Sequence, residues 1–374
     1  MTHIMNYPGS DAEAEKNAGK YPLVRPEPLV KVCDIAYVLF EKPDLARQSA
    51  FLQDFGMSPV EESDQTIYLR GNGPSPWFYR ATRGDKSRYL GAGFLVNTVE
   101  ELQTISAASN KPIEAITEPG GGQRVRLQDP NGFIVDIVHG REELPRLSSR
   151  DQLFAVNTPG QKNRINQRVT TAPAPSPLER LGHLVLAVTD FSVCADWYMR
   201  HLGVIASDVQ CVADGSPVLA FMRCDRGDTP ADHHTVVLVQ NFATSCMHTA
   251  YETLDLDAVG QGAQYLAWKG REHFWGIGRH ILGSQIFDYW KDPCGDELEH
   301  YADGDMFDAS HPTQYHGFTQ GSLWAWGDDA PPGPKPGLKT ILKLIFGGKK
   351  NTLPKPLLGK MRAALAIKPR PWIH

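Results

Sequence analysis

Residues 283–305 read GSQIFDYWKDPCGDELEHYADGD, and the fold turns on how this stretch is read. In its middle, Asp292-Pro293-Cys294-Gly295 is a turn, because Pro and Gly supply backbone angles that a strand does not use. The flanking runs 285–290 and 297–301 alternate polar and apolar residues, so together they predict a β-hairpin. A side-chain period of two puts Glu297, Glu299 and Tyr301 on one face of the second strand, and Leu298 and His300 on the other. Acids on a strand face need water or a bound partner, and the hairpin alone does not decide between them.

Outward from this hairpin the chain repeats itself. A strand over 30–39 leads into an amphipathic helix over 44–55 closed by Gly56. Strands follow near 67–69, 77–79 and 89–96, then a helix over 99–109 and a hairpin turning on Asp129-Pro130-Asn131-Gly132. Residues 141–178 are Pro- and Ala-rich without periodicity, and predict a linker. The pattern then restarts with LGHLVLAV as a strand and a helix over 191–202 closed by Gly203. Strands at 218–224, 235–240 and 247–254 come next, then a helix over 256–269 and the opening hairpin. EKPDLARQSAFLQDFGM matches DFSVCADWYMRHLGV, and DPNGFIVDIVHG matches DPCGDELEHYADG. The predicted class is α+β, with tandem βαβββ modules in two domains, each curled around a cleft. The expected division is a mobile arm over 1–27, a domain over 28–140, the linker, a second domain over 179–308, and an extension over 309–374.

Composition narrows the function classes. The chain has 374 residues, 41% hydrophobic and 22% charged, with a formal net charge of −5, which gives no reason to expect nucleic acid as a partner. From residue 335 onward there are ten Lys or Arg and no Asp or Glu, so the remainder carries 28 − 43 = −15. The basic segment GLKTILKLIFGGKK in this region predicts a surface or oligomer-contact helix, and hence a homo-oligomer. Six scattered cysteines without CxxC spacing suggest reduced thiols and a cytoplasmic protein. No apolar run reaches the ~18 residues of a membrane span.

The repeat offers an internal control for residues with chemistry. Aligned by sequence, the second copy has His183, His248 and Glu299 where the first has Asp34, Gly91 and Asp136. Two His and one carboxylate on neighbouring strands of one cleft form a facial triad that can hold a divalent metal and leave positions open. The first copy, with no His in these slots, is expected to bind none.

The second copy resembles the catalytic domain of the type I extradiol ring-cleavage dioxygenases of the vicinal oxygen chelate superfamily. The resemblance rests on Gly182-His183, on His248 opening a short apolar strand, and on Glu299 just beyond a Pro-Gly turn. It extends to His233-His234-Thr235, in which His234 matches an acid/base histidine and His233 is a neighbour expected to tolerate change. Tyr289, ten residues before Glu299, and His280 in Gly278-Arg279-His280 match further catalytic positions. The residues after this motif, Ile281-Leu282-Gly283, depart from the polar ones that many members carry. The resemblance implies a Fe(II) site, or Mn(II) in its place, at His183, His248 and Glu299. It also implies a catechol-type aromatic substrate and O2, and opening of the ring beside its two hydroxyls. Arg279, Trp275 and Phe274 are candidate substrate contacts, and Phe274, Trp275 and Trp290 suggest a hydrophobic catechol. His300, alternating away from Glu299, is expected outside the site. The alternative is a glyoxalase-like metal-dependent isomerase or lyase of the same superfamily, which would use a carboxylate base and normally four protein ligands.

Overall fold

A computed structural model describes residues 12–150, 154–318 and 322–331. The chain begins with α1 (Ala12–Asn17) and then builds β1 (Asp34–Lys42), α2 (Leu45–Phe55), β2 (Ser58–Glu62), β3 (Thr66–Arg70) and β4 (Tyr79–Arg83). The same βαβββ order recurs as β5 (Arg88–Leu95), α3 (Val99–Ser109), β6 (Ile113–Ala115), β7 (Gln123–Gln128) and β8 (Ile134–His139). After the linker come β9 (Leu178–Val188), α4 (Phe191–Leu202), β10 (Ile205–Cys211), β11 (Pro217–Arg223), β12 (Ala231–Asp232) and β13 (Val236–Gln240). The last module is β14 (Ser245–Thr253), α5 (Leu256–Trp268), β15 (Glu272–His280), β16 (Ile286–Lys291) and β17 (Glu297–Ala302). Three short strands follow, β18 (Met306–Phe307), β19 (Gln314–Gly317) and β20 (Trp324–Gly327).

Local chemistry fixes the helix ends where the sequence places them. The Asp44 side chain accepts from the Arg47 N–H, and Gly56 closes α2 at φ 119. Asp190 accepts from the Val193 N–H, and Gly203 closes α4 at φ 66. Thr98 and Glu101 form a reciprocal capping box on α3.

The first sheet has the order β2-β3-β4-β1-β5-β8-β7-β6. In the second, β10-β11-β13-β9-β14-β17-β16-β15 repeats that topology, with β19 added outside β10 and β20 outside β15. Each sheet thus joins two βαβββ modules about a central pair, β1/β5 or β9/β14. One apolar core runs through both copies, including Phe55 and Phe78 from the first and Leu178 and Tyr251 from the second.

Copy one also braces the β16–β17 hairpin of copy two. Lys42 is fully buried and donates to Asp292 and, at 2.5 Å, to Asp296 in the β16–β17 turn. His300 Nε2 lies 2.7 Å from the Phe55 carbonyl oxygen, and its ring stacks on Phe55 at 3.8 Å. His300 therefore serves the contact between copies.

Two boundaries differ from expectation. Residues 12–27, polar enough to predict a mobile arm, are anchored by specific hydrogen bonds. Asn17 donates to the Ala213 carbonyl, Glu15 accepts from the Gly317 N–H, and Arg25 pairs with Asp225 at 2.9 Å. The second sheet also continues beyond residue 308, because β19 and β20 close its two edges. The basic segment from residue 335 lies outside the described residues. No described helix is long and apolar enough to cross a membrane.

Candidate metal centre

Strand register assembles the site. β9 pairs antiparallel with β14, which pairs parallel with β17, and this aligns His183, Ala250 and Glu299 in one row. His248 stands two residues before Ala250 on β14 and so shares the face of that row. Gly182 makes room for the arrangement, since a Cβ there would sit 1.9 Å from the Tyr301 hydroxyl oxygen. One ligand atom from each of His183, His248 and Glu299 fits within 4.8 Å of the others.

The electrostatics of this cluster are unusual for a protein interior. Glu299 is completely buried, and neither carboxylate oxygen has an aligned hydrogen-bond donor. No Lys or Arg forms an ion pair with it among the described contacts. Three imidazole Nε2 atoms surround it instead, those of His183 at 3.2 Å, His248 at 3.4 Å and His280 at 3.6 Å. Burial raises the Glu299 carboxyl, and it is the protonated forms of these imidazoles that pull it well below the usual carboxylate range. Burial also lowers His183, which favours the neutral imidazole that metals bind. Two imidazoles and an unneutralised carboxylate are a donor set suited to a divalent first-row metal.

Further polar side chains pack around the cluster. Tyr289 faces Glu299 across the β16–β17 ladder, and its hydroxyl lies 3.0 Å from His280 Nε2. His280 Nδ1 lies 2.8 Å from the Leu323 carbonyl oxygen, an atom that only accepts, so Nδ1 carries a hydrogen. The His234 ring centroid is 4.1 Å from that of His183. Burial, then the neighbouring His183 and His233, push His234 well below the ordinary histidine value.

The proposed substrate contacts fare differently. Trp275 stacks on Tyr289 at 5.3 Å and donates to the Asp328 carbonyl, so it backs the Tyr289 ring. Arg279 is engaged elsewhere, with the Ser284 carbonyl at 2.5 Å and Asp303 at 2.7 Å, and braces that loop. Phe274 carries Lys291 over its ring, at 4.6 Å. Trp290 alternates into the common core and donates to Asp288. Neither Arg279, Phe274 nor Trp290 makes a described contact with the triad.

Two corrections concern histidines and slots. His233 is not a bystander: it is 1% exposed, lies 2.9 Å from His234 Nδ1 through its own Nδ1, and reaches Asp208 through Nε2. The residue of copy one that matches His183 is Tyr37, not Asp34. The row Tyr37–Gly93–Asp136 pairs as His183–Ala250–Glu299 does, whereas Asp34 takes the place of Arg180. Equivalent bulges, at Ile35/Tyr37 in copy one and at Leu181/His183 in copy two, confirm this pairing of positions.

The corrected comparison shows how copy one closes the same slots. Asp136 is bound by Arg126 at 2.8 Å through two guanidinium nitrogens and accepts from the Tyr37 hydroxyl at 2.9 Å. Arg126 pairs with Asp136 as Tyr289 pairs with Glu299. Gly91, in the His248 slot, has φ +157, and a Cβ there would lie 2.1 Å from the Ile134 carbonyl oxygen. Trp77 takes the place of His234 and stacks on Tyr37 at 4.5 Å.

No protein-family model matches the chain. It is 30% identical over 314 residues to metapyrocatechase 2 of Cupriavidus necator, covering 83% of this chain and 93% of that one. The Mn(II)-bound glyoxalase from Novosphingobium aromaticivorans shares the fold with a TM-score of 0.68 at 21% identity, covering 82% of this chain and 95% of the other. Homoprotocatechuate 2,3-dioxygenase from Brevibacterium fuscum does so with a TM-score of 0.67 at 20% identity, covering 83% and 94%. The repeated βαβββ architecture and the sequence match together make this chain a member of the extradiol ring-cleavage dioxygenases, metal-dependent enzymes that open catechol-type rings with O2.

Proposed function

We propose that His183, His248 and Glu299 hold one Fe(II) per chain, with Mn(II) as the alternative that the donor set also admits. The observation that carries this is the buried Glu299 carboxylate, left without an aligned donor between two imidazoles. Bound there, the metal would supply open positions for both catechol oxygens and O2, and a path for electrons between them.

The chain's own residues would handle protons and charge. His234, held neutral by burial and its histidine neighbours, is suited to take a proton from a catechol hydroxyl and return it later. Burial, then Glu299, raises Tyr289 well above the ordinary phenol value, so its hydroxyl stays a donor. With His280 it forms a hydrogen-bonded pair at the edge of the site, placed to steady negative charge on substrate oxygen. Trp275 stacked behind Tyr289 limits the motion of that ring. Assembly as a homo-oligomer in the cytoplasm belongs to the same reading; six free thiols are compatible with that compartment.

The test is anaerobic Fe(II) loading followed by a panel of mono- and bicyclic catechols in air. One iron per chain, O2 uptake and a yellow ring-fission product are expected. His183→Ala, His248→Ala and Glu299→Gln should each lose the iron. Two metals per chain, or full iron in His248→Ala, would overturn the ligand assignment. Turnover without O2 uptake would favour a glyoxalase-like isomerase.

A further inference from the structure

Behind His234 lies a chain of buried polar groups that metal binding does not require. His234 Nδ1 and His233 Nδ1 are 2.9 Å apart. His233 Nε2 is 2.5 Å from Asp208 Oδ2, and His316 Nε2 on β19 is 2.6 Å from Asp208 Oδ1. The His233 backbone is also held, its N–H donating to the Asp305 carbonyl and its carbonyl accepting from Ser207. Phe221 and Phe307 flank its ring, at 5.4 and 5.5 Å. Gly283 abuts it, since a Cβ there would meet His233 Nδ1 at 2.9 Å. The departure at Ile281-Leu282-Gly283 thus brings the chain against His233.

The internal repeat argues that the fold does not need this chain. Copy one has the same bulge before Glu61 that copy two has before Asp208, yet Glu61 is exposed. Pro76 and Trp77 stand where copy two has His233 and His234, by the registers of β1/β4 and β9/β13. Burying an aspartate and three imidazoles is costly unless each is satisfied. Only the copy with the metal cluster carries them.

We propose that Asp208 and His233 are positioning residues that hold His234 as the Nδ1–H tautomer, leaving its Nε2 lone pair as the base. This rests on the acid/base reading of His234. The logic is one of donors and acceptors. A carboxylate only accepts, so His233 Nε2 carries a hydrogen and donates to Asp208. In the neutral ring His233 Nδ1 then has only a lone pair, and the hydrogen between the two Nδ1 atoms belongs to His234. An aspartate behind an imidazole fixes tautomer and orientation in the same way in hydrolytic triads.

The experiment uses the full-length chain loaded with diamagnetic Zn(II) and labelled with 15N-histidine. Long-range 1H–15N spectra are compared with those of His234→Phe to assign His234. The expected result is a protonated Nδ1 and an unprotonated Nε2; the opposite tautomer overturns the proposal whatever the variants do. In parallel, iron-loaded His233→Phe should keep its metal and KM while kcat falls at least ~100-fold, within the range of a lost acid/base contribution. His233→Gln, whose amide oxygen can still accept from His234, should recover part of that loss. If His233→Phe retains kcat with iron bound, the positioning role fails. Retention of kcat by His234→Phe would instead sink the acid/base reading itself. Should His233→Phe lose iron or fail to fold, the wild-type tautomer decides.

Discussion

Arg126→Leu and Glu299→Gln should affect the metal-free protein in different ways, although both alter a buried carboxylate's environment in the same ladder position. Asp136 is fully buried and held by two Arg126 contacts at 2.8 Å and by the Tyr37 hydroxyl. Removing the guanidinium leaves a buried carboxylate with one hydrogen bond. Breaking such a pair costs roughly 3–5 kcal/mol. The Arg126 side chain is 34% exposed, and solvent screening places the cost near the lower end, about 3 kcal/mol. At ~2–4 °C per kcal/mol for a domain of this size, Tm should fall by roughly 6–12 °C. Glu299 has no guanidinium or ammonium to lose, so the metal-free Glu299→Gln protein should be at least as stable as the parent. Adding Fe(II) at ~100 times Kd should stabilise the parent by ~2.7 kcal/mol and leave Glu299→Gln unmoved. Anaerobic thermal unfolding with chelator or Fe(II) reads all of this. If metal-free Glu299→Gln loses about as much stability as Arg126→Leu, protonated histidines already neutralise Glu299 and the argument for a missing cation is refuted.

Three further outcomes follow from the geometry. Tyr289→Phe should keep its iron, since the hydroxyl contacts His280, and should lower kcat by the equivalent of ~1.5–3 kcal/mol, measured by steady-state O2 uptake. Lys42→Met should destabilise the chain by ~3–5 kcal/mol, because it strands the buried Asp292, and the Lys42→Met/Asp292→Asn pair should recover part of that in urea unfolding. A chain ending at Gly333 should retain iron stoichiometry by elemental analysis, because every proposed ligand precedes it; loss of iron from a folded truncation would contradict this.

Much of the fold was legible because its signals are local. Asp44 and Gly56, or Asp190 and Gly203, bracket helices by chemistry that needs no tertiary contact. The β16–β17 hairpin follows from alternation and a Pro-Gly turn, and His183, His248 and Glu299 stand out because polar residues interrupt apolar strands. What stayed hidden depends on register or distance. The match of His183 to Tyr37, and not to Asp34, appears only in the strand pairing, since the two side chains share no chemistry that a sequence comparison would align. Asp208 meets His233 across 25 residues and His316 across 108, pairings that no periodicity announces. Arg279 is a candidate substrate contact by its place in the sequence motif, but its guanidinium is taken by Ser284 and Asp303.

The two copies solve one electrostatic problem in two ways, and this explains why only one of them should need a metal. A carboxylate in the central row of a buried sheet requires a cation or several donors. In copy one Arg126 carries that cation covalently, Tyr37 supplies a donor, and the Gly91 backbone lies too close to Ile134 for any side chain in the third slot. In copy two Tyr289 replaces the guanidinium and brings no charge, while His183 and His248 contribute lone pairs when neutral. The charge must then come from protons on those histidines or from a metal ion. Burial lowers His183 and so disfavours the proton, which leaves the metal as the better partner. Copy one, complete in itself, is free to act as a brace, and Lys42 and Phe55 fix the hairpin that carries Glu299.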